Sequence, residues 1–249
     1  MISMIELRNV SKHFNNQLLL RDVNLTVESN QTVVLFGPSG GGKTVLIKLC
    51  LGLIRPDAGE IWIDGERIDT MTERELTRMR LKTGTLFQYY ALFDSMTVEE
   101  NVGFYLANHS DLDPGDIHAR VIEDLERVNM SGTEALKPAE LSGGMQKRVG
   151  IARSLVHRPK VLFYDSPTDG LDPVTSDRII DLIKGLNQTL GITSLVISND
   201  MNTAFRLGDR IGMLYDGRIH AIGTPEEMSE TDDPYVFQFI RGLEKGPLL

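Results

Sequence analysis

Apolar positions along the chain switch between two spacings, and the switches mark strands and helices. Met4 to Val10 alternates apolar and polar residues and predicts a half-buried strand. Val23 to Val27 alternates again. Thr32-Val33-Val34-Leu35-Phe36 is a short apolar, β-branched run, as a buried strand would be. Val45 to Leu53 is apolar and mostly helix-compatible. Ala58-Gly59 punctuates the chain before a strand at Glu60 to Ile63, and Asp64-Gly65 signals a hairpin turn. Thr72 to Arg80 predicts a charged, exposed helix. Gly84 to Phe87 is a short strand ending at Gln88.

Thr97 to Ala107 and Pro114 to Val128 predict helices, with Thr97 and Asp113 as N-caps. Leu141-Ser142-Gly143-Gly144-Met145 opens a helix running to about Val156. Val161 to Tyr164 is an apolar strand ending in Asp165. Val174 to Leu190 places Ile179, Ile180, Ile183, Leu186 and Leu190 on one helical face. Thr193 to Ser198 is another buried strand, ending at Asn199. Arg210 to Tyr215, Asp216-Gly217 and Arg218 to Ile222 form a hairpin. Thr224 at N-cap, Pro225 at N1 and Glu227 at N3 start a helix. The tail, Gly242 to Leu249, shows no clear element. Strands separated by helices predict a parallel, doubly wound α/β sheet, with ligands at the carboxyl ends of its strands. No Pro/Gly-rich linker separates residues 90–159 from the rest. They are expected to be a helical subdomain inserted into a sheet core of residues 1–89 and 160–249.

Composition narrows the class. Hydrophobic residues at 41% and charged residues at 24% fit an ordinary globular protein. The net charge of −9 argues against a general nucleic-acid binder, so nucleic acid is not an expected partner. One cysteine, Cys50, gives no disulfide framework and suits a reducing compartment. No stretch resembles a secretory signal, and Lys48 and Arg55 interrupt the best candidate for a membrane span. Work at a membrane would require recruitment by another chain.

The candidate chemistry centres on Gly37-Pro38-Ser39-Gly40-Gly41-Gly42-Lys43-Thr44, which fits G-x-x-x-x-G-K-[ST] between a strand and a helix. Glycines tolerate φ > 0 and let backbone N–H groups turn inward as an anion nest at a helix N-terminus. Lys43 would reach the β- and γ-phosphates of a nucleotide, and the Thr44 hydroxyl would ligate Mg²⁺. The competing reading is a glycine turn that binds nothing. Gln88, Asp165 and Asn199 stand at predicted strand ends. Asp165, after four apolar residues, suits a carboxylate that holds Mg²⁺. Ser142-Gly143-Gly144 is a second anion nest. Two nests in one chain make sense if two copies face each other and each closes the other's nucleotide. Phe14 is either a core aromatic or one that stacks on a base.

In order and spacing these motifs resemble the nucleotide-binding subunit of an ABC transporter over nearly the whole chain. The resemblance rests on Gly37–Thr44, Gln88, Leu141–Met145, the run ending in Asp165, and Gly170-Leu171-Asp172. It implies a P-loop NTPase fold with an antiparallel β subdomain and an inserted helical subdomain. It implies ATP bound by Gly37 to Val45 and by Ser142, Gly143 and Gly144, with Phe14 at the adenine-stacking position. It implies Mg²⁺ held by Thr44, Gln88 and Asp165, and a homodimer that clamps two ATP molecules against a membrane permease. Tyr90 to Ser95, Met213 to Arg218, Gly223 to Glu227, Asp232-Asp233-Pro234 and Gly246-Pro247 resemble the ATPase of Mla/Mce-type phospholipid transport systems of diderm bacteria. That subgroup implies a place on the cytoplasmic face of the inner membrane, a small regulatory subunit and a substrate-binding lipid-transfer subunit. Tyr89, Tyr90, Leu92 and Phe93 would form part of the surface that meets the permease.

Two positions depart from the family pattern. Ser166 stands where the family has the Glu that polarises the attacking water, and Asn199 stands where it has His. Ser is no general base near neutral pH, and Asn donates to the γ-phosphate without taking up a proton. One such acid–base group contributes roughly 10²–10⁴-fold. The chain is therefore expected to bind ATP better than it hydrolyses it, unless a neighbour such as Asp169 or Asp200 substitutes. The second functional class is a nucleotide-gated clamp or regulatory subunit that barely turns ATP over. A chromosome-associated ABC protein is disfavoured by the lack of a long heptad segment, and a translation-associated one by the single P-loop.

Overall fold

The computed structural model describes residues 2–14, 17–88 and 92–248. The strands are β1 (Ser3–Phe14), β2 (Gln17–Glu28), β3 (Thr32–Phe36), β4 (Ala58–Ile63), β5 (Glu66–Arg67), β6 (Thr83–Leu86), β7 (Val161–Asp165), β8 (Thr193–Ile197), β9 (Arg210–Tyr215) and β10 (Arg218–Gly223). The helices are α1 (Lys43–Cys50), α2 (Glu73–Arg80), α3 (Val98–His109), α4 (Pro114–Arg127), α5 (Gly143–Leu155), α6 (Pro173–Leu190), α7 (Met201–Leu207), α8 (Pro225–Ser229) and α9 (Pro234–Arg241).

The strands form two sheets. One is antiparallel, in the order β2-β1-β4-β5. The other runs β10-β9-β3-β8-β7-β6; β9, β3, β8, β7 and β6 are parallel and β10 is antiparallel to β9. β3, β7 and β8 are buried at every position because both faces of the sheet are covered. Val34, Phe36, Leu162, Tyr164 and Val196 pack with Ile179, Ile180 and Ile183 of α6 and with α3 to α5. Val33, Leu35, Phe163, Leu195 and Ile197 point the other way, into a core shared with α1, β1 and β2. β6 and β7 are sheet neighbours, yet the chain between them supplies α3, α4 and α5.

Local signals set the helix starts. Thr97 and Thr224 form capping boxes with Glu100 and Glu227, and Asp113 accepts from the Gly115 and Asp116 amides at 2.8 and 2.9 Å. Asp124 of α4 is fully buried and holds Arg158, just beyond α5, through both oxygens at 2.7 and 2.8 Å.

The structure differs from the sequence pattern in several places, among them the short helix α7, which Asp200 caps and no periodicity announced. β1 and β2 run beyond their alternating segments because bulges break the alternation. Asn9 and Asp22 there have φ 51° and 46°, and the register shifts between Leu7 and Val10. α1 stops at Cys50, before Leu53: Gly52 adopts φ 63°, and Leu53 N–H donates to Lys48 O, closing the helix end. α9 occupies a stretch whose β-branched and aromatic residues hide a helix. Its Asp233 cap, Pro234 and left-handed Gly242 are the signals that bound it.

Gly84 sets how closely α5 approaches the sheet. A Cβ there would lie 2.2 Å from Ser154 O and 2.4 Å from a Leu162 methyl. Overpacking of this kind costs about 1–3 kcal/mol, and a backbone neighbour cannot step aside as a side chain can. Gly84→Ala is expected to lower the urea midpoint by a corresponding amount with an unchanged slope. An unchanged midpoint would contradict this packing.

Candidate functional site

The site begins where β3 ends. Gly37 has φ 146°, and a Cβ on it would lie 2.1 Å from the Leu214 carbonyl oxygen of β9, so no side chain fits. The loop then wraps to Gly42, at φ 92°, the N-cap of α1. Gly42 offers no side-chain cap, so the first-turn amides of α1 face the loop as donors for an anion. Lys43 folds back over this loop and donates to the Gly37 and Pro38 carbonyls at 2.7 and 2.9 Å. It is only 7% exposed. Burial pulls its ammonium down to about 8, opposed by the charges of Asp165 and Asp169.

The carboxyl ends of β6, β7 and β8 face that loop across a cleft of about 280 Å³. The cleft brings together Ser39, Gly40, Gly42, Lys43, Thr44 and Val45 with Gln88, Asp165, Ser166 and Asn199. Gly37, Pro38 and Gly41 stand behind in the loop. Asp165 is buried at the end of β7 and accepts from the Ser166 hydroxyl at 3.3 Å. Ser166 is left-handed, with φ 52°, and its amide donates to Ile197 O at 2.8 Å. Asn199 Nδ2 reaches Ser39 Oγ at 3.5 Å, the long limit of a hydrogen bond.

Other sequence candidates lie elsewhere. Phe14, at the end of β1, is half exposed and outside the lining of this cleft, while Leu19 of β2 is part of that lining. Ser142 caps α5, its hydroxyl accepting from the Met145 amide at 3.3 Å. Ser142, Gly143 and Gly144 are not in the lining, so one chain does not bring the two nests together. Tyr89 and Tyr90 lie outside the described residues. Asp200 caps α7, accepting from the Asn202 and Thr203 amides at 3.1 and 3.0 Å, and does not line the cleft. Asp169 does, and its Oδ2 accepts from Gln88 Nε2 at 3.0 Å.

Lys147 was not signalled by any motif. It is fully buried on α5, and its Nζ donates to Ser166 O at 3.1 Å and Gln88 O at 3.3 Å. Burial lowers its ammonium to about 8 against the opposing charges of Asp169 and Asp165. The available clue was periodicity: Lys147 shares a buried helical face with Gly150, Ile151, Ser154 and Leu155.

The donors suit Mg²⁺. Thr44, Gln88 and Asp165 offer oxygen atoms, the Asp165 carboxylate is 3% exposed, and Mg²⁺ typically takes one or two carboxylates plus substrate phosphates and water. No cluster of three acidic, His or Cys residues among the described residues could hold a metal alone.

The profile of the ABC transporter family matches residues 20–169. The chain belongs to the ABC transporter family. The ATP-binding protein MlaF of the intermembrane phospholipid transport system of Escherichia coli strain K12 is 37% identical over 246 residues, covering 99% of this chain and 91% of MlaF. The probable ribonucleotide transport ATP-binding protein mkl of Mycobacterium leprae is 38% identical over 244 residues, covering 98% of this chain and 70% of mkl. The dimeric ATP-binding cassette MJ0796, in a post-hydrolysis state bound to ADP and Pi, superposes with a TM-score of 0.82 at 33% identity, over 89% of this chain and 99% of that one. The α/β fold of this ABC ATP-binding subunit is thus that of solved ABC cassettes.

With Lys43 lowered to about 8, ATP binding at this loop is expected to be pH-linked. Triphosphate oxygens favour the charged ammonium, so its bound-state value rises above the free value of about 8. Below about pH 8 Lys43 is charged in both states and binding is insensitive to it. Above that, binding must take up a proton, and affinity falls as pH rises. Calorimetry at about pH 9 in buffers of different ionisation enthalpy should show proton uptake on ATP binding, absent in Lys43→Arg. Identical heats in all buffers would contradict this account of Lys43.

Proposed function

We propose that this ABC subunit is the ATP-hydrolysing motor of a phospholipid transporter, docked peripherally on the cytoplasmic face of the inner membrane of a diderm bacterium. The observation that carries this reading is the similarity to MlaF along nearly the whole chain, combined with a cleft that gathers a phosphate loop, Lys43 and Asp165. Mkl bears a different cargo in its name at almost the same identity. The phospholipid reading rests on coverage, since the chain spans 91% of MlaF and 70% of mkl.

In this reading the loop amides and Lys43 grip the β- and γ-phosphates. Thr44, Gln88 and Asp165 hold Mg²⁺, which supplies charge neutralisation between the phosphates. Leu19 offers an apolar wall toward the base. Ser142 to Gly144 of a second copy close over the γ-phosphate, because Ser142 and Gly143 are exposed and the nest lies outside the cleft lining of its own chain. Lys147 ties the helix that carries this nest to the carbonyls of Gln88 and Ser166, so movement of α5 is felt in the cleft.

The permease meets a second groove, of about 300 Å³, between the turn after α1, the end of α2, β6, α3 and α5. Phe87 and Phe104 line it, and Leu53 and Phe93 are exposed beside it. Among the described residues no helix is long and apolar enough to cross a membrane, so the permease supplies the transmembrane path. A small regulatory subunit and a lipid-transfer subunit complete the proposed assembly.

The test is reconstitution of the chain with its permease in vesicles carrying a fluorescent phospholipid. ATP should drive lipid movement, and Lys43→Ala should reduce both turnover and movement at least about a hundredfold, as expected when transition-state charge stabilisation is lost. Turnover with no movement of phospholipid would remove the cargo assignment. Equal activity of Lys43→Ala would remove the site.

A further inference from the structure

Phosphoryl transfer to water needs a group that accepts a hydrogen bond from the water and aims its lone pair at phosphorus. The Ser166 side chain is directed to Asp165, and Asn199 offers its amide to Ser39. Asp200 is consumed as a helix cap. The carboxylates that line the cleft among the described residues are Asp165 and Asp169. Asp165, buried at the strand end, is the one placed for Mg²⁺.

We propose that Asp169 is the water-orienting carboxylate of this chain, aimed into the cleft by Gln88 and by the turn that Ser166 begins. The inference rests on the ATP-hydrolysing reading given above. Gln88 Nε2 donates to Asp169 Oδ2 at 3.0 Å and fixes the carboxylate on the cleft side. The turn itself is fixed twice. The Asp169 amide donates to Ser166 O at 3.2 Å, and Lys147 Nζ donates to the same carbonyl at 3.1 Å. Ser166 at φ 52° starts the turn, and Gly170 at φ 78° ends it. Asp169 lines the same cleft as Lys43, and its charge opposes the fall of the Lys43 and Lys147 ammonium groups. Gln88 and Asp169 therefore act as a pair: an amide that holds one carboxylate oxygen, and a carboxylate that accepts from water.

In the step, the water oxygen bonds to the γ-phosphorus as the bond from that phosphorus to the β–γ bridging oxygen breaks. The bridging oxygen leaves with the electron pair on ADP. One water proton stays on the attacking oxygen and the other ends on an orthophosphate oxygen, with Asp169 orienting the water rather than keeping its proton.

The test compares wild type, Asp169→Asn and the double variant Asp169→Asn, Ser166→Glu, each complexed with the permease. Asn retains an oxygen acceptor for Gln88 and removes the charge. Asp169→Asn should lower kcat at least about tenfold, with KM and the affinity for a fluorescent ATP analogue unchanged within about threefold. Ser166→Glu should restore turnover in the Asp169→Asn background. An active wild type with an equally active Asp169→Asn overturns the inference and leaves the motor reading standing. Loss of affinity together with kcat, or a failed rescue, assigns Asp169 a structural role and also overturns it. A wild type that binds ATP and shows no turnover with permease overturns the motor reading and the inference together.

Discussion

One backbone rung holds the site together. Ile197 of β8 pairs with Leu35 of β3 on one side and with Asp165 of β7 on the other. Just beyond it, Ser198 N–H donates to Leu35 O at 3.1 Å and Ser166 N–H to Ile197 O at 2.8 Å. These bonds bring the phosphate loop, Asp165 and Asn199 to one sheet edge. Because side chains alternate along a strand, a one-residue slip of β7 would turn Asp165 into the core and lift Tyr164 into the cleft. The apolar faces of β3, β7 and β8 forbid that slip, since both are buried.

Charge burial adds a second constraint. Lys43 and Lys147 bring two ammonium groups into low-exposure positions where the charges of Asp165 and Asp169 oppose their loss of protons. Such groups are costly unless hydrogen-bonded. Both solve the problem by donating to backbone carbonyls, Lys43 to its own loop and Lys147 to two loops of the sheet edge. Lys43 can exchange its carbonyls for phosphate oxygens. Lys147, inside α5, holds a lasting joint between the helical segment and the sheet.

The parts legible in the sequence were those encoded locally. The glycine loop, the apolar strands and the polar residues after them follow from adjacent residues, so Gln88, Asp165 and Asn199 were legible as strand-end groups. Residues placed by nonlocal geometry were less legible. Phe14 and Leu19 lie on strands whose bulges at Asn9 and Asp22 reset which residue faces the cleft, and no alternation rule carries through a bulge. Asp169 could be named as a neighbour, but its selection over Asp200 depends on the cap that Asp200 makes with α7. Helix α9 was signposted by Asp233, Pro234 and Gly242, and its strand-like composition obscured them.

One chain carries a cleft with a phosphate loop and, outside the lining of that cleft, an exposed Ser142 at the start of α5. In the proposed assembly two copies complete each other around ATP. Light scattering with Mg²⁺ and a non-hydrolysable ATP analogue should then give twice the monomer mass for the wild type and the monomer mass for Ser142→Arg. A wild type that stays monomeric at high concentration, or a Ser142→Arg variant that dimerises equally well, would contradict it.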